Sequence, residues 1–227
     1  MPYKIPKIPL FTELVGIERR VQDLQVVIAE LDWLECSFGL AKRVTIERGE
    51  EVEQAPTVYE GLRRDSLDVR MWPYEYKSYT FWDLIEAGEF KYFDNVTAKR
   101  RYPKIEQPVA LIVCLDNKQI SQGQDYNVTY SLCKNEIINK LNNSNMSSGI
   151  FQMTAILENK PVEVFEGYDV LDELMEPRSC FRIEGLVTYS QDCFSTDTDP
   201  YVPEYPTADT TLVTADSTYY TADNIKP

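Results

Sequence analysis

The chain contains no histidine in 227 residues. That removes the commonest general base, the usual partner of a serine or cysteine nucleophile, and the commonest metal ligand. The absence argues against an enzyme, and no catalytic residue, cofactor site or metal site is predicted. Glycine is scarce. Its nine residues never fall closer than ten positions apart, which excludes a G-x-G-x-x-G loop, a P-loop and a G-x-S-x-G elbow. The five cysteines, Cys36, Cys114, Cys133, Cys180 and Cys193, are odd in number and form no C-x-x-C pair. They read as buried free thiols in a reducing compartment.

Long apolar runs are missing as well. The longest, Val109 to Leu115, is about a third of the roughly twenty residues that a helix needs to cross a bilayer. Neither a transmembrane helix nor a membrane partner is expected. The N-terminus, Met1-Pro2-Tyr3-Lys4-Ile5-Pro6-Lys7-Ile8-Pro9, has no continuous apolar stretch behind its lysines and no small-residue cleavage site, so no secretory signal is read there. Positive charge is also short: 23 basic against 37 acidic side chains give a net charge of −14. Residues 1–113 hold 16 basic and 19 acidic groups and residues 114–227 hold 7 and 18, so the halves carry −3 and −11. Tight sequence-independent binding of nucleic acid needs a basic surface that releases counterions, and the bulk charge here has the opposite sign.

What is present begins with prolines at 2, 6 and 9, which fix φ and bias their predecessors toward extended geometry; residues 1–11 are read as an arm. From Gly16, apolar Ile17, Val21, Leu24, Ile28 and Leu31 recur at helical spacing with charged residues between them. This predicts an amphipathic helix of about four to five turns laid on a sheet. Ala41 to Glu47 reads as a strand, Glu47 to Gln54 as a solvated acidic turn, and Pro56 to Tyr59 as a short strand. Val69 to Phe93 is rich in aromatics, with partial alternation at Tyr74, Tyr76, Tyr79 and Phe81. Val109 to Leu115, apolar at every position, is the clearest strand and is expected at the centre of the sheet.

Tyr130 to Leu141 reads as a second helix, followed by a polar loop from Asn142 to Gly149. Phe151 to Leu157, Val162 to Phe165 and Phe181 to Tyr189 then read as strands. The order is arm, helix, strands, helix, strands, tail. It predicts an α+β fold with a mainly antiparallel sheet, two helices, an extended N-terminal arm (1–11), a folded domain (12–193) and an extended acidic C-terminal tail (194–227).

The tail is different in kind. Three seven-residue units begin Thr-Ala-Asp at Thr207, Thr214 and Thr221, and the first two carry the apolar pairs Leu212-Val213 and Tyr219-Tyr220. Threonine, aspartate and β-branched residues are poor helix formers, so this period predicts an extended strap and not a coiled coil. A disordered solubilising tail is the alternative. Asp197 and Asp199 lack the further oxygens, glycine and closing glutamate of an EF-hand loop. Basic clusters at Arg19-Arg20, Lys42-Arg43, Arg63-Arg64 and Lys99-Arg100-Arg101 are best matched to the chain's own surplus of acid. Trp72, Trp82 and the tyrosines around them suit a sugar platform, a subunit contact or plain core.

Several short motifs together resemble bacteriophage virion ring and tail-connector proteins, closest in feel to those of crAss-like phages that infect gut Bacteroides. They are Glu18-Arg19-Arg20-Val21-Gln22, Trp33-Leu34-Glu35, Phe38-Gly39-Leu40-Ala41-Lys42-Arg43, Pro56-Thr57-Val58-Tyr59-Glu60-Gly61, Pro108-Val109-Ala110-Leu111-Ile112-Val113 and Phe181-Arg182-Ile183-Glu184-Gly185. The likeness covers about residues 10 to 193 and excludes the C-terminal repeat. It implies a tail-completion or tail-terminator type of fold. It also implies a non-enzymatic subunit of a homo-oligomeric ring in the virion neck or tail, assembled in the bacterial host cytoplasm. Such a ring contacts the portal and other tail rings and passes DNA through its lumen without sequence-specific binding. Trp72, Trp82, Leu212, Val213, Tyr219 and Tyr220 are then expected at contacts between subunits. The alternative is a carbohydrate-binding or adhesion module, which expects solvent-facing tryptophans beside hydrogen-bonding carboxylates. A third reading, a two-carboxylate hydrolase, expects a deep cleft with one acid buried against apolar side chains.

Overall fold

The computed structural model describes residues 7, 8, 10, 11, 14–48, 51–59, 67–70, 76–95, 100–121, 123, 125–143, 149–158, 160–169 and 178–190. All of them fall within one compact unit, Met1–Gln191. In chain order the elements are α1 (Gly16–Ile28), β1 (Cys36–Leu40), β2 (Lys42–Arg48), β3 (Glu51–Tyr59), β4 (Leu67–Arg70), β5 (Ser78–Leu84), β6 (Glu89–Asn95), β7 (Arg100–Asp116), α2 (Asn117–Ser121), α3 (Tyr126–Asn142), β8 (Gly149–Glu158), α4 (Pro161–Val164) and β9 (Arg178–Ser190).

Six strands form the main sheet in the order β1-β5-β7-β9-β8, with β6 also paired to β7, while β2-β3-β4 form a second sheet. Every pairing is antiparallel except that of β1 with β5. The fold is therefore α+β with a mainly antiparallel sheet, as the sequence pattern predicts.

The apolar run Val109 to Leu115 lies inside β7, with β5 on one side and β9 on the other. Both faces of β7 are covered, which is why the run does not alternate with polar residues. Successive side chains point to opposite faces, so two cores form. On one face Trp82, Leu111, Val113, Ile183 and Val187 meet Val21, Leu24 and Ile28 of α1 and Cys133, Ile137 and Leu141 of α3. On the other, Phe81, Ala110, Ile112 and Cys114 meet Val58 of β3 and Val164, Phe165 and Tyr168 in and after α4. Fully burying one such aliphatic side chain contributes about 1.5–3 kcal/mol.

Local chemistry explains where the structure departs from the sequence reading. Helix α1 stops one turn early: the Leu31 N–H donates to the Ile28 carbonyl at 3.1 Å, a three-residue spacing that tightens the chain into a turn, and Leu31 reaches the core from there. Glu47 to Gln54 is not a solvated turn, because β2 runs to Arg48, β3 starts at Glu51 and those two residues are directly paired. Val162 to Phe165 is not a strand. Pro161 supplies the φ suited to a first helical position, and the segment makes the single turn α4, leaving Val162 exposed. With the short α2, this gives four helices among the described residues where two were expected. Strand β1, Cys-Ser-Phe-Gly-Leu, shows no polar alternation because Cys36, Ser37 and Phe38 are all buried.

One glycine is required by close approach. A Cβ on Gly185 of β9 would lie 2.5 Å from the Phe151 ring and 2.7 Å from the Gln152 carbonyl oxygen. The register of β8 shifts at this place, between Met153 and Ala155.

Candidate subunit interface

Helix α3 begins where the Asp125 carboxylate accepts the backbone N–H groups of Asn127 and Val128, at 2.8 and 3.3 Å. Such a cap satisfies donors that the first turn would leave orphaned. Thr129, Cys133, Ile137 and Leu141, spaced by four, form the buried stripe. Burial pushes the Cys133 thiol up to about 11, helped by the Glu136 charge, so it stays protonated.

The opposite stripe is unusual. Residues three and four apart share a helix face, and Val128, Ser131, Leu132, Asn135, Asn139 and Asn142 make up the outermost strip of α3, every one of them exposed. Val128 and Leu132 are each 52% exposed. The strip has no charge. The three charged residues of α3 are all engaged inside the subunit: Lys134 binds Glu158 at 2.7 Å, Lys140 pairs with Glu30, and Glu136 accepts the Trp33 indole N–H at 2.7 Å. Tyr130 also donates to Glu158, at 2.8 Å, which fixes α3 to β8. Surface helices normally present charge opposite the core face. A charge-free outer strip on a chain of net charge −14 has the composition of an interface centre, which is depleted in charge.

The edges of the main sheet are treated unequally. Along β1 the Ser37 N–H donates to the Lys7 carbonyl at 2.8 Å, and Lys7 Nζ reaches the Leu31 carbonyl at 3.0 Å. The Gln22 amide meets both backbone groups of Phe11, at 2.7 and 3.1 Å. The described part of the N-terminal arm is thus tied to its own subunit and covers that edge. At the far edge, β8 is bonded, among the described residues, to β9 alone and carries one charge, Glu158, at its end. Sheet edges are commonly guarded by charges, prolines or bulges. Here the guard is the bulge between Met153 and Ala155.

Beneath α4 lies a charged layer that composition did not reveal. Buried Asp83 accepts from Arg43 Nη2 at 3.0 Å, and the Arg43 guanidinium lies 5.2 Å from the centre of the Tyr168 ring. Gly167, with φ +86°, permits this approach: a Cβ there would lie 2.6 Å from Arg43 Nη1. Arg182, only 1% exposed, donates from Nε to Glu184 at 2.8 Å and lies 3.9 Å from Glu166. Asp83, Ala110 and Glu184 are opposed in one row across β5, β7 and β9. Arg43 thus ties β2 to β5 through Asp83, and Arg182 ties β9 to the turn after α4 through Glu166.

Trp82 corrects an expectation. Expected at a subunit contact, it is fully buried in the core, edge-on to Phe151 with ring centroids 5.7 Å apart. Its place on β5, opposite Leu111 in the central strand, turns it inward; it serves neither a subunit contact nor a sugar platform. Trp72, Leu212, Val213, Tyr219, Tyr220 and the whole acidic tail lie outside the described residues. Trp33 does stand beside a carboxylate, Glu136, but its N–H is already used and its ring packs on the core. Among the described residues no group of three or more Cys, Asp or Glu could hold a metal ion, and no helix is long and apolar enough to cross a membrane.

Sequence reasoning missed the α3 strip and Asp125. The signal was there: an aspartate two positions before Asn127, then Val128 and Leu132 spaced by four in a segment otherwise lined with Asn and Ser. No family model matches the chain, and no curated protein matches it.

Proposed function

We propose that the chain is a structural subunit of a bacteriophage neck or tail ring. Copies associate in a closed homo-oligomer between portal and tail, and DNA passes through the lumen without sequence-specific binding. The observation that supports this reading is the uncharged outer strip of α3. Two copies of a chain carrying −14 repel each other, and an uncharged meeting surface adds no local like-charge repulsion to that. Val128, Ser131, Leu132, Asn135, Asn139 and Asn142 offer such a surface, with apolar contact at its N-terminal end and amide hydrogen bonding along the rest.

A ring closes through heterologous contacts, in which the α3 strip of one copy meets a different surface of the next. The seven-residue repeat supplies a second link, with Leu212, Val213, Tyr219 and Tyr220 docking on the adjacent subunit. The subunit acts by shape and contact, not by catalysis, and its working location is the virion.

Native mass spectrometry of the full chain over a concentration series tests the reading. A single closed oligomer larger than a dimer is expected, weakened when Thr207 to Pro227 are deleted while the monomer stays folded. A protein that remains monomeric at high concentration, alone and with portal or tail-ring proteins, would overturn it.

A further inference from the structure

One row of directly opposed residues crosses four strands of the main sheet: Cys36 on β1, Tyr79 on β5, Cys114 on β7 and Cys180 on β9. All four face the same core and all are buried. Tyr79 lies between Cys36 and Cys114, so Cys36 has no thiol beside it in the row. Cys114 and Cys180 have nothing between them, and their Sγ atoms are 2.8 Å apart. That is closer than two sulfurs settle in ordinary van der Waals contact.

Directly opposed residues on antiparallel strands have Cα atoms about 4.5 or 5.5 Å apart. Both separations fall within the roughly 4.4–6.8 Å spanned by disulfides, so no backbone movement is needed to join this pair. Position favours reaction as well. Cys114 lies two residues before the end of β7 and Cys180 two residues after the start of β9, so the pair sits near the strand ends, where exposing it takes local and not global opening. Burial, reinforced by the neighbouring Cys114, raises the Cys180 thiol well above its ordinary range, so it is protonated at rest and reacts when local opening at the strand ends exposes the pair. A small neutral oxidant reaches such a thiol more readily than a bulky or charged one.

We propose that Cys114 and Cys180 are a modification site, a thiol pair that a hydroperoxide closes into a disulfide between β7 and β9. One sulfur, losing its proton, attacks a peroxide oxygen and breaks the O–O bond, giving a sulfenic acid and one water. The second sulfur then displaces the sulfenic oxygen, which leaves as water with the second thiol proton. The two sulfurs together give up two electrons, hydrogen peroxide takes them, and two thiols plus one peroxide become one disulfide plus two waters. The bond staples the two strands that carry the centre of the sheet, and it forms when the chain passes from a reducing to an oxidising environment. It stands apart from the ring reading, since it needs only one folded subunit.

The test uses the folded full-length protein treated with hydrogen peroxide, then denatured, alkylated without reductant and mapped by peptide mass. A linked peptide pair containing Cys114 and Cys180, lighter by two hydrogens than the two thiol peptides and separated by dithiothreitol, is expected, while Cys133 is recovered alkylated. Oxidised wild type should also melt higher than reduced wild type, a difference absent in Cys180→Ser and Cys114→Ser. Recovery of both thiols alkylated after peroxide would overturn the proposal. So would links from either thiol to Cys36, Cys133 or Cys193, or sulfinic acid in place of a link. The mass map on wild type decides the matter even where a serine variant fails to fold.

Discussion

Helices α1 and α3 lie on the same face of the main sheet and bury the same kind of stripe, Val21, Leu24 and Ile28 in one and Cys133, Ile137 and Leu141 in the other. Their outer faces have little in common. The outer face of α1 carries Arg19, paired to Asp23 at 3.7 Å, with exposed Val26 beside them, and the mostly buried Arg20 also reaches Asp23, at 3.4 Å. That is a solvated face whose charges satisfy one another within a turn or so. The strip of α3 carries Val, Ser, Leu and Asn, and its helix has already turned each of its charges toward neighbours in the same subunit. Equal inner faces with unequal outer faces teach that packing in the monomer does not explain the second pattern. The proposed ring contact rests on that difference.

If the inner faces are equivalent, Leu24→Ala and Ile137→Ala should each cost about 2–5 kcal/mol of unfolding free energy in urea titrations of the monomer. A loss confined to one helix would break the symmetry on which the comparison rests. The anchoring of α3 is expected to cost less to remove. Asp125→Ala strips the cap and should lower stability by about 1 kcal/mol, whereas α1, whose Val15 cap makes no side-chain bond, has nothing to lose there.

The link from α3 to β8 titrates. Lys134, followed by Tyr130, holds the Glu158 carboxyl below its ordinary range against the opposing effect of burial. A carboxyl whose pKa is depressed on folding contributes stability above its unfolded pKa, about 4.3, and loses that contribution as pH falls through the folded value. Glu158→Gln should therefore lower stability at neutral pH and flatten its acid limb below about pH 4. Chemical denaturation at pH 7 and pH 3 checks this: the wild type and variant curves should converge at the lower pH. The smallest effect belongs to α1. Asp23→Asn removes partly exposed ion pairs and should change stability by no more than about 0.5 kcal/mol, with the difference shrinking further in high salt.

Much of the frame is legible in the residues. The helical spacing from Ile17 to Ile28 and the uninterrupted run Val109 to Leu115 place α1 and the spine of the sheet, because a half-buried helix and a doubly buried strand each leave one unambiguous pattern. Pattern fails where two demands overlap. Val162 and Val164 favour a strand by propensity, yet Pro161 and a segment of four residues make a helical turn. Cys36 to Leu40 is too short and too fully buried to alternate.

The candidate site was harder to see for a related reason. Apolar residues on both sides of α3 blur its single-faced periodicity, so the sequence places the helix from Tyr130 to Leu141 and its exposed face goes unnoticed. Trp82 shows the converse. An aromatic cluster in sequence says nothing about which member faces inward; the pairing of β5 with the central strand decides that.

The difference between the two helices comes down to one pair of variants. Leu132→Glu puts a charge into the middle of the α3 strip and Val26→Glu puts one on the exposed face of α1, and each should leave monomer stability within about 0.5 kcal/mol of wild type. Masses of the three proteins by sedimentation at matched concentration should show wild type and Val26→Glu assembled alike and Leu132→Glu reduced to monomer. Assembly of Leu132→Glu equal to that of wild type would contradict an interface on α3.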